Sequence, residues 1–156
     1  MTALAEEHKG SEVGRARLRK EDARLVTGQT NWTDNIKLPG MLYMAILRSP
    51  LAHARITRVD TSAARGLPGV VAVFSGADFA SEQGSLPCAW PVTEDIVIPD
   101  HPPMAVEEVR YPGEAVACVI ARDRYAAADA LEAIDVDYDP LPPVLDMRSA
   151  LASDSP

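Results

Sequence analysis

The sequence predicts an α/β (α+β) domain, with a mixed sheet and a C-terminal strand-helix-strand unit. Three observations lead there. Uncharged runs over residues 41–47, 69–74 and 115–121 read as strands, the second being rich in β-branched residues. Between residues 115 and 138 a helical pattern headed by Asp123 is flanked by strand patterns on both sides. The composition, 47% apolar and 24% charged over 156 residues, is that of a globular chain able to bury a core of its own. A chain of this length buries about 70% of its unfolded surface. With only 5% aromatic residues, that core is built from Val, Ile, Leu and Ala.

The elements follow in order. Residues 1–12 are polar and aperiodic and are expected to form a flexible N-terminal tail. Residues 13–151 are expected to form the domain, and 152–156 a linker or truncated end. Residues 13–20 concentrate Arg15, Arg17, Arg19 and Lys20, a basic arm in an acidic chain and a candidate docking strip for a partner subunit. Leu38-Pro39-Gly40 signals a turn before a buried strand over 41–47, which Arg48-Ser49-Pro50 ends. A more exposed strand covers 54–60, and Thr61 caps a short helix that Gly66 and Pro68 terminate. The run 69–74 is expected as a central strand, and Ser75 with Asp78 forms a capping box.

From 82 to 103 periodicity vanishes and Pro87, Pro91, Pro99, Pro102 and Pro103 accumulate. A loop of this length in a small domain is usually functional, and contact with another subunit is expected there. Residues 115–121 form a strand, and the helix after Asp123 carries Ala126, Ala127, Ala130, Leu131 and Ile134 on one face. Asp135-Val136-Asp137-Tyr138 alternates like a half-exposed strand, with one more turn over 147–151.

The net charge of −8 repels phosphate backbones and anionic lipid, so neither nucleic acid nor membrane is the expected partner. No apolar run approaches the roughly 20 residues of a membrane span. The first residues lack the basic start and apolar stretch of a signal peptide, so a cytoplasmic location is expected. Cys118 lies in an apolar run and reads as a core residue, while Cys88 stands in the Pro-rich loop without a nearby base.

The search for chemistry returns no complete catalytic set. The turn from strand to helix at Ala121-Arg122-Asp123-Arg124 has no glycine to admit a pyrophosphate. His8, His53 and His101 are isolated in sequence, and none is spaced to share a metal with another. His53, beside a strand start, reads as a surface or hydrogen-bonding histidine. Glu107 and Glu108, adjacent in an extended segment, point to opposite faces and do not act as a pair.

Six stretches, in order, resemble one family. They are 19–28 (Arg-Lys-Glu-Asp-Ala-Arg-Leu-Val-Thr-Gly), 38–42 (Leu-Pro-Gly-Met-Leu), 48–56 including Arg48, Ser49, Pro50 and His53, 68–78, 113–117 including Gly113 and Glu114, and 136–144. Together they resemble the N-terminal α/β hammerhead domain of molybdenum hydroxylase large subunits, the xanthine dehydrogenase, aldehyde oxidase and aerobic carbon monoxide dehydrogenase family. The resemblance implies a parent oxidoreductase that holds molybdopterin in the rest of its large subunit, with iron-sulfur and FAD groups in partner subunits. It implies a structural and subunit-contact role for this region, no catalytic, cofactor-binding or metal residue within it, and an isolated chain without activity. Arg15, Arg17, Arg19, Arg48, Ser49, Pro50, His53, Gly113 and Glu114 are its candidate interface or motif positions. Trp32, where Tyr is usual, and Pro112, where a small β-branched residue is typical, depart from the pattern; proline is tolerated at the first residue of a strand. Two alternatives stand beside it: a stand-alone module binding a small ligand or protein through residues 82–103, and a small enzyme using Cys88 as nucleophile.

Overall fold

A computed structural model describes residues 13–14, 16–87, 90, 92–153 and 155. The expected tail over 1–12, Arg15, Cys88, Pro91 and two of the last three residues, Asp154 and Pro156, lie outside the described residues. The chain divides into two compact units, residues 1–39 and 40–156. The first holds helix α1 (Asp22–Val26) and a 3-10 turn (Thr33–Asn35), neither of which the sequence pattern signals. Arg19 starts α1: its backbone N–H and its Nε–H each donate to the Asp22 carboxylate at 2.8 Å.

Among the described residues the second unit carries six strands, β1 (Tyr43–Arg48), β2 (Ala54–Asp60), β3 (Val70–Ser75), β4 (Glu108–Val109), β5 (Ala115–Ala121) and β6 (Asp135–Pro140). Its helices are α2 (Ser62–Arg65), α3 (Arg124–Glu132) and α4 (Met147–Ala150), with a 3-10 turn over Gly76–Phe79. The α/β class holds. The strands form two antiparallel three-stranded sheets, ordered β1-β5-β3 and β4-β2-β6, in place of one mixed sheet. The C-terminal strand-helix-strand unit is present as β5-α3-β6, and its two strands belong to different sheets.

Burial explains this arrangement. β5 is apolar on both faces, and both are covered. Ala117, Val119 and Ala121 pack with Ala127, Ala130, Ile134, Ala64 and Val73, whereas Val116 joins Ala54, Ala105 and Val109 in a second cluster. The strand able to bury both faces takes the centre. β3, expected as central, is therefore an edge strand with Val71 exposed. β1, expected as buried, is the other edge, with Met44 exposed.

Of the three caps expected from the sequence, at Thr61, Ser75 with Asp78 and Asp123, two form. Asp123 Oδ1 accepts from the backbone N–H of Tyr125 and of Ala126, both at 2.9 Å. Ser75 and Asp78 form the expected capping box. The exception is α2. Thr61 makes no side-chain cap bond, and Asp60 Oδ1 instead accepts from the Ser62 hydroxyl and backbone N–H. These two bonds, with help from Arg58, hold the Asp60 carboxyl at about 2. A carboxylate that reaches both donors displaces a hydroxyl that reaches neither.

The backbone and hydroxyl of Ser75 likewise hold the Asp78 carboxyl below its ordinary value. Asp78→Ala is expected to cost about 1 kcal/mol, the usual worth of a cap. Because the folded-state value is depressed, the contribution is complete above the ordinary Asp range and is lost as pH falls through the folded value. Urea unfolding of both proteins should therefore show the difference shrinking in acid.

Candidate functional site

The motif positions around residues 48 and 113 meet in space. Ser49 N–H donates to Glu114 O and Gly113 N–H to Ser49 O, both at 2.8 Å, and Arg48 Nη1 donates to Gly113 O at 2.7 Å. The link is a backbone ladder continued past the bulge between Leu47 and Arg48. Ser49 is buried and its hydroxyl exchanges hydrogen bonds with the backbone of Leu51 at 3.0 Å, which turns the chain toward β2. Pro50 is exposed at the bend.

Glu114 N–H donates to Tyr111 O across a turn in which Pro112 takes the second position and Gly113 the third, at φ +92°. That is the type II geometry, which favours proline and then glycine. Pro112 is accommodated by this turn and not by a strand start, since β5 begins at Ala115. The Glu114 side chain is 2% exposed, and Oε2 accepts from Arg110 N–H. Its other oxygen, Oε1, is buried without a partner among the described residues.

Beside this knot lies a groove of about 530 Å³, with His53, Glu108, Arg110 and Tyr111 on one side and Pro143, Val144 and Leu145 on the other. His53 Nδ1 lies 2.8 Å from Pro142 O, and Nε2 lies 2.8 Å from Glu108 Oε1. The Pro142 carbonyl and the Glu108 carboxylate together raise the His53 pKa, against burial and the Arg110 charge. His53 is thus the hydrogen-bonding histidine that its position suggests. His101 lies apart, with Nε2 3.1 Å from the Tyr111 hydroxyl.

Arg17 and Arg19 are exposed in the first unit, and part of the Arg19 guanidinium is engaged by Asp22. The structure therefore assembles Arg48, Ser49, Gly113, Glu114 and, nearby, His53 on neighbouring segments. Sequence reasoning set Glu108 aside as half of an adjacent carboxylate pair, without its contact to His53, and gave no role to Arg110 or Pro142. Glu108 is 55 residues from His53, and no spacing rule joins them.

A metal or pterin finds little to hold it here. Among the described residues no three His, Cys, Asp or Glu side chains converge on a metal position. Burial pushes the Cys118 thiol up, away from the thiolate a metal requires. At the β5–α3 turn, Asp123 occupies the N–H groups of Tyr125 and Ala126 that a phosphate would use. The described side chains do not fit a molybdenum cofactor. No helix among them is long and apolar enough to cross a membrane.

The chain as a whole is similar to known proteins. Residues 27–142 match the family described as aldehyde oxidase and xanthine dehydrogenase, a/b hammerhead domain. The carbon monoxide dehydrogenase large chain of Afipia carboxidovorans is 42% identical over 144 residues, 92% of this chain and 17% of that one. The xanthine dehydrogenase molybdenum-binding subunit of Escherichia coli O157:H7 is 33% identical over 83% of this chain and 17% of its own. The crystal structure of quinoline 2-oxidoreductase from Pseudomonas putida 86 superposes with a TM-score of 0.78 at 40% identity, covering 94% of this chain and 18% of that one. This chain thus spans less than a fifth of the length of each of these three relatives.

Proposed function

Because the chain belongs to the aldehyde oxidase and xanthine dehydrogenase a/b hammerhead family, we propose that it serves as the N-terminal hammerhead domain of a molybdenum hydroxylase large subunit of the carbon monoxide dehydrogenase or xanthine dehydrogenase type. The observation that carries this reading is the family match over residues 27–142, in a chain that covers 17% of the carbon monoxide dehydrogenase large chain it matches. The domain, taken as residues 13–151, is a scaffold and a contact surface. The molybdopterin belongs to the rest of the large subunit, iron-sulfur and FAD groups belong to partner subunits, and the assembly works in the cytoplasm.

Two features support the scaffold role. Apart from Glu114 Oε1, the polar groups of the 48–49/113–114 knot bond to the chain's own backbone, which suits positioning and not catalysis. The Pro-rich loop exposes Trp90 (81%) and Val97 (87%), together with Val92 and Ile98. Exposed apolar side chains gathered in one loop are suited to protein contact. Arg17 and Arg19, with Arg15 of the same run, form the proposed second contact strip.

The 156-residue chain purified alone is expected to carry no molybdenum above background by elemental mass spectrometry and to oxidise neither aldehydes nor N-heterocycles. Stoichiometric molybdenum in that preparation would overturn the proposal.

A further inference from the structure

At one end of the β4-β2-β6 sheet a single imidazole joins three chain segments. His53 immediately precedes β2, Glu108 opens β4, and Pro142 follows β6. Both ring nitrogens face oxygens at 2.8 Å: the Pro142 carbonyl at Nδ1 and the Glu108 carboxyl at Nε2. A carbonyl oxygen only accepts, and so does an ionised carboxylate. A neutral imidazole has one N–H and can satisfy only one of them, leaving two lone pairs opposed at the other contact. Two hydrogen bonds therefore require two protons on the pair, as imidazolium beside carboxylate or as imidazole beside carboxylic acid.

The segment held by this pair has few other ties. Pro142 and Pro143 have no N–H to donate. Beyond the bond from Leu141 N–H to His53 O at 2.9 Å, the His53 contact to Pro142 O is the one hydrogen bond to residues 142–145 among the described residues. Downstream, Asp146 caps α4 and restarts regular structure. Residues 143–145 form one wall of the groove, with Leu145 81% exposed.

We propose that His53 and Glu108 form a proton-dependent clasp, which holds segment 141–145 against the start of β2 and releases that wall of the groove when the pair loses a proton. The charged and titratable groups lining the groove are His53, Glu108, Arg110 and Tyr111. Glu108 favours the protonated ring and Arg110 opposes it. Tyr111 turns its hydroxyl to His101. His53 and Glu108 side chains are 15% and 31% exposed, so water and buffer reach the pair without unfolding. The His53 pKa is raised in the folded state. The clasp is consequently complete below the ordinary histidine range and is lost as pH rises through the folded-state value.

The test is pulsed hydrogen exchange with mass spectrometry on the intact protein, any co-purifying partner chains left in place. The reporter is the Leu141 amide, normalised for the intrinsic effect of pH. Wild-type protection is expected to fall about tenfold from mildly acidic to mildly alkaline pH, the scale of one charge-assisted hydrogen bond. In Glu108→Gln the side-chain amide donates to Nε2 and a neutral ring donates from Nδ1 to Pro142 O, so protection should persist without pH dependence. His53→Gln, which cannot titrate, should also give a flat profile. A flat wild-type profile, or the same pH-dependent fall in either variant, would overturn the clasp.

Discussion

Gly76→Ala is expected to lower the unfolding free energy of the second unit by about 3–5 kcal/mol, near the top of the range for a single substitution. A Cβ at this position would lie 1.9 Å from Ala105 O and 2.6 Å from Ala105 C. Both are backbone atoms, so no side-chain rotation relieves the overlap. Neither strand of chain is free to retreat. Ala105 N–H donates to Ala115 O of β5 at 2.8 Å, and Gly76 lies inside the Ser75–Asp78 capping box. Glycine is required here by close backbone approach. Gly66→Ala is the control: its Cβ would meet only ordinary contacts, the nearest being Ala63 O at 3.5 Å, at a backbone φ of −82°. That substitution should change stability by less than about 1 kcal/mol. Urea midpoints of the two variants should separate accordingly, and equal midpoints would refute the packing argument.

Glu114→Ala should cost about 2–4 kcal/mol, because it opens a cavity and leaves the Arg110 N–H without its acceptor. Glu114→Gln keeps an acceptor for that N–H, but its amide hydrogens would enter the place of Oε1, which has no partner among the described residues. An intermediate loss of about 1–2 kcal/mol is expected. The order wild type, Gln, Ala in chemical denaturation supports a hydrogen-bonding role for the buried side chain. A Gln variant as unstable as Ala would show that the carboxylate charge itself is required. Both substitutions leave in place the backbone bonds of residue 114 to Ser49 and Tyr111, so the loss reads the side chain alone.

Much of this protein is written locally. The β5 run, the Asp123 cap, the face of α3 and the alternation of β6 depend on residues within a few positions of one another, and each forms where periodicity and capping chemistry place it. The Ser75–Asp78 box spans three residues and is likewise legible. Six ordered stretches also carry the family resemblance, and the family match covers most of them.

Tertiary structure decided the rest. The β-branched run at β3 looks central by composition, yet β5 takes the centre because it can bury both faces. The short β4 has only two residues and no period of its own, and exists because β2 offers it a ladder. Arg48 meets Gly113 across 65 residues, and His53 meets Glu108 across 55. By itself, the sequence determined most of the helices and strands of the second unit, β4 excepted, and the family they build, since propensity, capping and periodicity act over a few residues. Only the packed chain decided which strand is central, how the strands divide between two sheets, and that a lone histidine faces a carboxylate. Those outcomes depend on which apolar faces bury each other once distant segments meet.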